Sequence, residues 1–226
     1  MTSREVAGAR ADLTRVARDG VVWPGVPARL PVTGAPARRS AVLVLFGVLD
    51  AVPAHEGARH VPAELDVLLQ RRSATLAHHP GQVAFPGGGI DPGDDGPVGA
   101  ALREAVEETG LDPSGVDVLG TLADVPLPVS DNLVTPVLAW WAVPSRVAAV
   151  DHREAVDVFR APVADLVDPA RRGVVVHRAG AGRARTPAFE LDDGVVVWGF
   201  TALVLAGVLD AAGWAVPWDA SRLIVP

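Results

Sequence analysis

The sequence predicts an α/β (α+β) fold, a mixed β-sheet held between helices in an α/β/α sandwich. Two observations lead there. Apolar runs of strand length, such as residues 40–49 (SAVLVLFGVL) and 65–71 (LDVLLQR), interleave with helical stretches at 97–109 and 200–212. The interleaving lacks the regular strand–helix–strand rhythm of a doubly wound parallel sheet, so the sheet should be mixed.

The elements follow in order. Residues 1–20 place Val6, Leu13, Val16 and Ala17 near helical spacing, and residues 21–39 are an irregular stretch rich in proline and glycine. Residues 1–39 are therefore read as an N-terminal extension that covers the core or helps form a homodimer, and 40–226 as the main domain. Strands are expected at 40–49, 65–71 and 81–85, the last entering a glycine turn. After an acidic helix come strands at 116–125 and 133–143, split by VPLPVSDN. A strand at 154–160 and a short helix at 162–168 follow. Strands at 173–178, 186–191 and 194–198 come next, the last two forming a hairpin around Asp192–Gly194. A helix at 200–212 ends the core.

Composition narrows the function. The 226 residues suffice for one packed domain, and 49% of them are hydrophobic. A net charge of −7 argues against a general binder of nucleic acid or anionic membrane. An anionic substrate would need local cations. All 20 basic residues are arginine, which removes Schiff-base lysine chemistry and a P-loop lysine. With no cysteine there is no thiol catalysis and no thiolate metal site. The longest apolar runs fall well short of the roughly 18–20 residues of a membrane span. The first 20 residues mix acids and arginines without a signal-peptide core, so a cytoplasmic protein is expected.

The richest stretch is 86–111, PGGGIDPGDDGPVGAALREAVEETGL. Pro97 suits the first helical position and Gly110 the left-handed residue after the last turn. At about 100° per residue, Glu104, Glu107 and Glu108 share one arc beside an apolar stripe of Val98, Ala101, Leu102 and Ala105. Arg103 stands four residues before Glu107, in reach to pair with it. Taken alone, EAVEE could be a solvated acidic face. Behind a glycine-rich loop, the same carboxylates can hold Mg²⁺ or Mn²⁺ against a diphosphate, since hard cations take oxygen ligands and share their shell with phosphates.

These residues resemble the box of the Nudix hydrolase family, G-x5-E-x7-R-E-U-x-E-E-x-G-U, through Arg103, Glu104, Ala105, Glu107, Glu108, Gly110 and Leu111. Strict spacing puts Asp95 at the first acidic position and one extra residue puts Asp94 there. The second alignment resembles the coenzyme A diphosphatase branch, with Phe85, Pro86, Gly87, Gly88, Asp91 and Asp94. The upstream segment LLQRRSATLAHHPGQVAFPGG is similar to that branch through Leu68, Leu69, Arg72, Ser73 and Gly81, with Ala77 where the branch carries a second arginine.

The resemblance implies a metal-dependent hydrolase of a nucleotide substrate, coenzyme A or acyl-coenzyme A. Glu104, Glu107, Glu108 and the Gly88 carbonyl would be metal ligands, with Glu107 or Glu154 as base. Arg103 would orient the glutamates, and Arg72, Gly87 and Gly88 would bind substrate. The other readings are a Nudix hydrolase of ADP-ribose or a dinucleotide, a non-catalytic nucleotide sensor, and a structural protein that binds neither metal nor nucleotide. His78 and His79 could touch phosphate, and Trp140, Trp141 and Trp198 could stack on a base, core packing being the simpler role for the tryptophans. Ser73 and Ser130 lack a nucleophile-elbow context.

Overall fold

A computed structural model describes residues 3–23, 38–48, 61, 64–73, 81–127, 130–151, 155–179 and 182–226. Helix α1 (Ser3–Asp19) opens the chain, followed by strands β1 (Arg38–Val48), β2 (Leu65–Arg72), β3 (Val83–Ala84) and β4 (Gly87–Gly89). Helix α2 (Gly96–Thr109) comes next, then β5 (Val116–Thr121), β6 (Val125–Leu127), β7 (Asn132–Trp141) and β8 (Ala155–Pro162). The remainder is α3 (Val163–Val167), β9 (Arg172–Ala179), β10 (Gly182–Glu190), β11 (Val196–Val197) and α4 (Gly199–Ala212).

The larger sheet is mixed, as expected. β1 runs parallel to β7 from Arg38↔Asn132 to Phe46↔Trp140, and antiparallel to β2 and β4. β8 joins the other edge of β2, antiparallel. β1 is almost wholly apolar because both of its faces are covered. Ala41, Leu43 and Leu45 meet the α2 side, together with Leu68, Val137, Ala139 and Trp141. Val44 and Phe46 point the other way, into a second cluster with Leu13 and Val16 of α1 and Val204, Leu205 and Val208 of α4. The result is a helix–sheet–helix sandwich. Strands β9, β10 and β11 form a second, three-stranded sheet, whose Phe189 and Val197 join the cluster with α1 and α4.

Several boundaries differ from the sequence reading for physical reasons. The strand expected over 116–125 ends at Thr121, its pairing with β7 having slipped at Gly120 (φ 155°), and β6 (Val125–Leu127) lies in the VPLPVSDN stretch expected to separate two strands. The expected glycine turn at 87–89 is itself a strand, paired with Ser40–Val42 of β1. The expected strand over 81–85 shrinks to Val83–Ala84, and that over 186–191 begins at Gly182, where the partner is β9 as well as β11. Helix α1 is continuous with the main core: Leu13 and Val16 are buried against it, and Trp23 packs on Gly207 of α4.

Candidate active site

Helix α2 carries the acidic face, and its ends are set by local chemistry. Pro97 sits in the first turn, and Gly110 takes the left-handed conformation (φ 68°) with its N–H donating to the Val106 carbonyl. Ala100, Ala101, Ala105 and Thr109 are the buried face, while Val98 and Leu102 pack at its margin. Small alanines bring the helix axis close to the sheet, and so bring the glutamates to β4.

The contact with β4 is tight. Gly87 has φ 155°, and a Cβ there would run into the Ala41 carbonyl and the Val42 side chain. A Cβ on Gly88 would run into the Glu104 carboxylate. Glycine at 88 is therefore what lets the Glu104 side chain lie against the strand.

The glutamates divide into two sets. Glu108 is held from the sheet side: the Gly87 N–H donates to its Oε2 at 2.9 Å and the Gln70 amide donates to the same oxygen at 2.7 Å. Burial pushes the Glu108 carboxyl up to about 7, and the Gly87 and Gln70 bonds and the Arg72 charge only partly oppose that rise. Glu104 and Glu107 are held by Arg103, whose Nη1 donates to Glu104 Oε1 at 3.0 Å and to Glu107 Oε2 at 3.2 Å. Burial also raises the Glu104 carboxyl, with Arg103 acting in the opposite direction.

Arg103 does more than pair with its helix neighbours. Its Nε and Nη2 grip the two oxygens of Asp94 at 2.9 and 3.1 Å, and Nη2 also donates to the Gly89 carbonyl at 3.0 Å. Asp94 Oδ2 accepts from the Asp91 N–H at 2.7 Å. The hydrogen bonds from Arg103 and then from Asp91 hold the Asp94 carboxyl below its usual range. Asp94 thus fastens the loop before α2 to the helix, whereas Asp95 makes no side-chain capping bond. Of the two spacings that the sequence allowed, the geometry gives the structural role to Asp94.

Among the described residues, no three acidic or histidine side chains converge closely enough to hold a metal ion, since Arg103 and Gln70 engage the glutamates separately. The donor chemistry nonetheless fits a hard divalent cation. Glu104, Glu107, Glu108 and the adjacent backbone at Gly88 offer only oxygen, as Mg²⁺ or Mn²⁺ requires. The burial that raises Glu104 and Glu108 disfavours unneutralised charge, which a cation would compensate.

Arg72 lies at the end of β2 beside this group. Its backbone N–H donates to the Gln82 carbonyl at 3.0 Å, and its buried Nε has no hydrogen-bond partner among the described residues. Arg71 projects to the other side of β2, as strand alternation demands, and lines a cleft of about 460 Å³ with Gln82, Val196 and Trp198. It therefore does not face the glutamates in place of the arginine missing at position 77. Ala77, His78, His79 and Glu154 lie outside the described residues. Trp140 and Trp141 are buried in the two cores, and Trp198 stands 6.1 Å from the ring of His177. Ser73 is buried and Ser130 exposed. The residue that sequence reasoning passed over is Gln70. It is fully buried, bonded to Glu108, and left with an unpaired Oε1. Its only signal in the sequence was an uncharged polar residue at the end of the apolar run Val67–Leu69.

A family model described as NUDIX domain matches residues 53–178, more than half of the chain. The chain is 41% identical over 118 residues to an uncharacterized Nudix hydrolase, NudL, of Cronobacter sakazakii, covering 52% of this chain and 60% of that protein. It is 38% identical over 146 residues to the uncharacterized Nudix hydrolase NudL of Yersinia enterocolitica, covering 63% of this chain and 71% of that one. Among solved structures, a Nudix hydrolase of M. smegmatis, RenU, is similar with 28% identity and a TM-score of 0.42, over 56% of this chain and 71% of that chain.

Proposed function

The chain belongs to the Nudix family, and from that premise we propose that it is a metal-dependent diphosphatase that splits coenzyme A or acyl-coenzyme A into 3′,5′-ADP and (acyl-)4′-phosphopantetheine. The observation that carries the reading is the apposition of β4 and α2. Gly87 and Gln70 fix Glu108 from one side, and Arg103 fixes Glu104 and Glu107 from the other. The segment from Leu68 to Gly88, with Arg72 and the FPGG run, supports coenzyme A over other nucleotides.

Glu104, Glu107 and Glu108, with the Gly88 carbonyl, would hold Mg²⁺ or Mn²⁺. When bound, the cation supplies charge neutralisation at the diphosphate and a more acidic water. The remaining work falls to this chain's own groups. Hydrolysis joins a water oxygen to one phosphorus, breaks the P–O–P bond on its far side, and needs an acceptor for the water's proton. Glu107, the most exposed of the three, is assigned that acceptor role ahead of Glu154. Arg72 offers its unpaired Nε to a phosphate oxygen. Arg103 keeps Glu104 and Glu107 aimed while Asp94 and the Gly89 carbonyl hold the guanidinium in place.

The test is a panel of coenzyme A, ADP-ribose and dinucleotides, each with Mg²⁺ and with Mn²⁺, compared by kcat/KM. The highest value is expected for coenzyme A or an acyl derivative. A higher value for ADP-ribose or a dinucleotide would reassign the substrate. Tight binding without turnover of any of them would make the protein a sensor.

A further inference from the structure

Beyond the carboxylate group, the same face of the large sheet carries a cleft of about 760 Å³. Its walls are the end of α2 at Thr109, the end of β7 at Trp141, the 144–150 segment with Arg146 and Val147, and β8 with Val158 and Arg160. None of the described residues that line it is acidic, on a protein whose net charge is −7. The cleft thus offers two guanidinium groups over an apolar floor, the arrangement that recognises a phosphate attached to a hydrophobic or aromatic body.

Two further observations tie this cleft to the glutamates. First, its wall is fastened to the last turn of α2: the Val150 N–H donates to the Glu108 carbonyl at 3.1 Å and the Ala148 N–H to the Thr109 carbonyl at 3.0 Å. Second, the register of β8 on β2 pairs Val158 with Gln70 and Arg160 with Leu68. Gln70 is the residue that holds Glu108, and Arg160 is its diagonal neighbour on β8, about 7–8 Å away between backbones. Trp141, which lines the cleft, adds a buried indole N–H with no acceptor among the described residues.

We propose that this cleft is a subsite for the remote phosphomonoester of a substrate whose diphosphate lies at Glu104–Glu108, with Arg146 and Arg160 as its phosphate-binding residues. Arg146 is exposed and pairs with none of the described residues, so replacing it leaves the packing intact. Arg160 stands on the opposite wall, on β8, paired with Leu68 of β2. The inference rests on the proposed diphosphatase reading only in placing the diphosphate.

The experiment compares coenzyme A with dephospho-coenzyme A, which lacks only the 3′-phosphate, in the wild type, Arg146→Ala and Arg160→Ala, each with Mn²⁺. The wild type should prefer coenzyme A. Either substitution should cut the ratio of the two kcat/KM values by about ten- to a hundredfold, the effect of losing a charge-assisted hydrogen bond. A parallel calorimetric titration of metal-free protein uses 3′,5′-ADP, 5′-AMP and inorganic phosphate, and it stands whether or not coenzyme A is turned over. Tighter binding of 3′,5′-ADP than of 5′-AMP, lost in Arg146→Ala, supports the subsite even if the diphosphatase reading fails. Equal binding of the two nucleotides, an unchanged substrate ratio in both variants, or inorganic phosphate binding as tightly as 3′,5′-ADP overturns it.

Discussion

Replacing Glu108 with glutamine should make the metal-free protein more stable at neutral pH. The structure sets the size of the effect. Glu108 is held in a desolvated position that pushes its carboxyl from the ordinary 4.5 up to about 7. The folded protein therefore holds this proton more tightly than the unfolded chain does. Below pH 4.5 both states are protonated and the group has no effect on stability. As pH rises from 4.5 to 7 the unfolded state loses its proton first, so folding stability falls, and above 7 the full penalty remains. At about 1.4 kcal/mol per pH unit, the full penalty above pH 7 is about 3 to 3.5 kcal/mol, of which a few tenths are already present at pH 4.5. The glutamine side chain keeps the shape and an oxygen that accepts from Gly87 or Gln70, but never ionises. Glu104 is raised in the same direction and is common to both proteins. The assay is urea unfolding of wild type and Glu108→Gln in a chelator at pH 4.5, 6 and 8. The variant should gain on the wild type by about 2–3 kcal/mol between the lowest and highest pH. A difference that stays flat with pH would refute the argument that Glu108 is strained by burial.

Other consequences follow from single contacts. Gly87→Ala places a methyl group against the Ala41 carbonyl at φ 155°, and should cost about 2–4 kcal/mol, or roughly 5–15 °C in melting temperature; an unchanged melting curve would contradict the β4–β1 geometry. Gln70→Leu removes one of the two hydrogen bonds on Glu108 Oε2 and should weaken Mn²⁺ binding, read by electron paramagnetic resonance, by about 10- to 100-fold; equal affinity would assign Gln70 to packing alone. Leu13→Ala should cost about 2–5 kcal/mol in urea unfolding, because Leu13 of α1 is fully buried in the core that also holds α4. A loss under about 1 kcal/mol would make the 1–39 segment an appendage instead of the core cover proposed for it.

The acidic helix was legible because its signals are local. Pro97, Gly110 and the spacing of Glu104, Glu107 and Glu108 are set within one stretch of chain, and both helix ends fall where those residues place them. The i,i+4 pairing of Arg103 with Glu107 is equally local. The rest of the site depends on contacts between distant segments. Gly87–Gly89 reads as a turn until β1, more than forty residues earlier, is seen to pair with it. Gln70 becomes a partner of Glu108 only through the register of β2 beside β3 and the packing of α2 across the sheet. The second grip of Arg103, on Asp94 and the Gly89 carbonyl, decides between two spacings that the sequence left equal. The cleft at Arg146 and Arg160 likewise exists only once β8 is laid antiparallel on β2. Strand order, unlike helix position, has no local code, because one hydrophobic run can pair with any other of similar length.

The most direct measurement is the turnover of coenzyme A by Glu108→Gln at pH 8 with Mn²⁺, in the same preparation whose stability has been measured. The account predicts a protein at least as stable as the wild type in chelator whose kcat is lower by about 10²–10³-fold, the several kcal/mol of charge stabilisation that a metal-holding carboxylate secures. A folded variant that keeps wild-type turnover would contradict the assignment of these helix carboxylates to the chemistry.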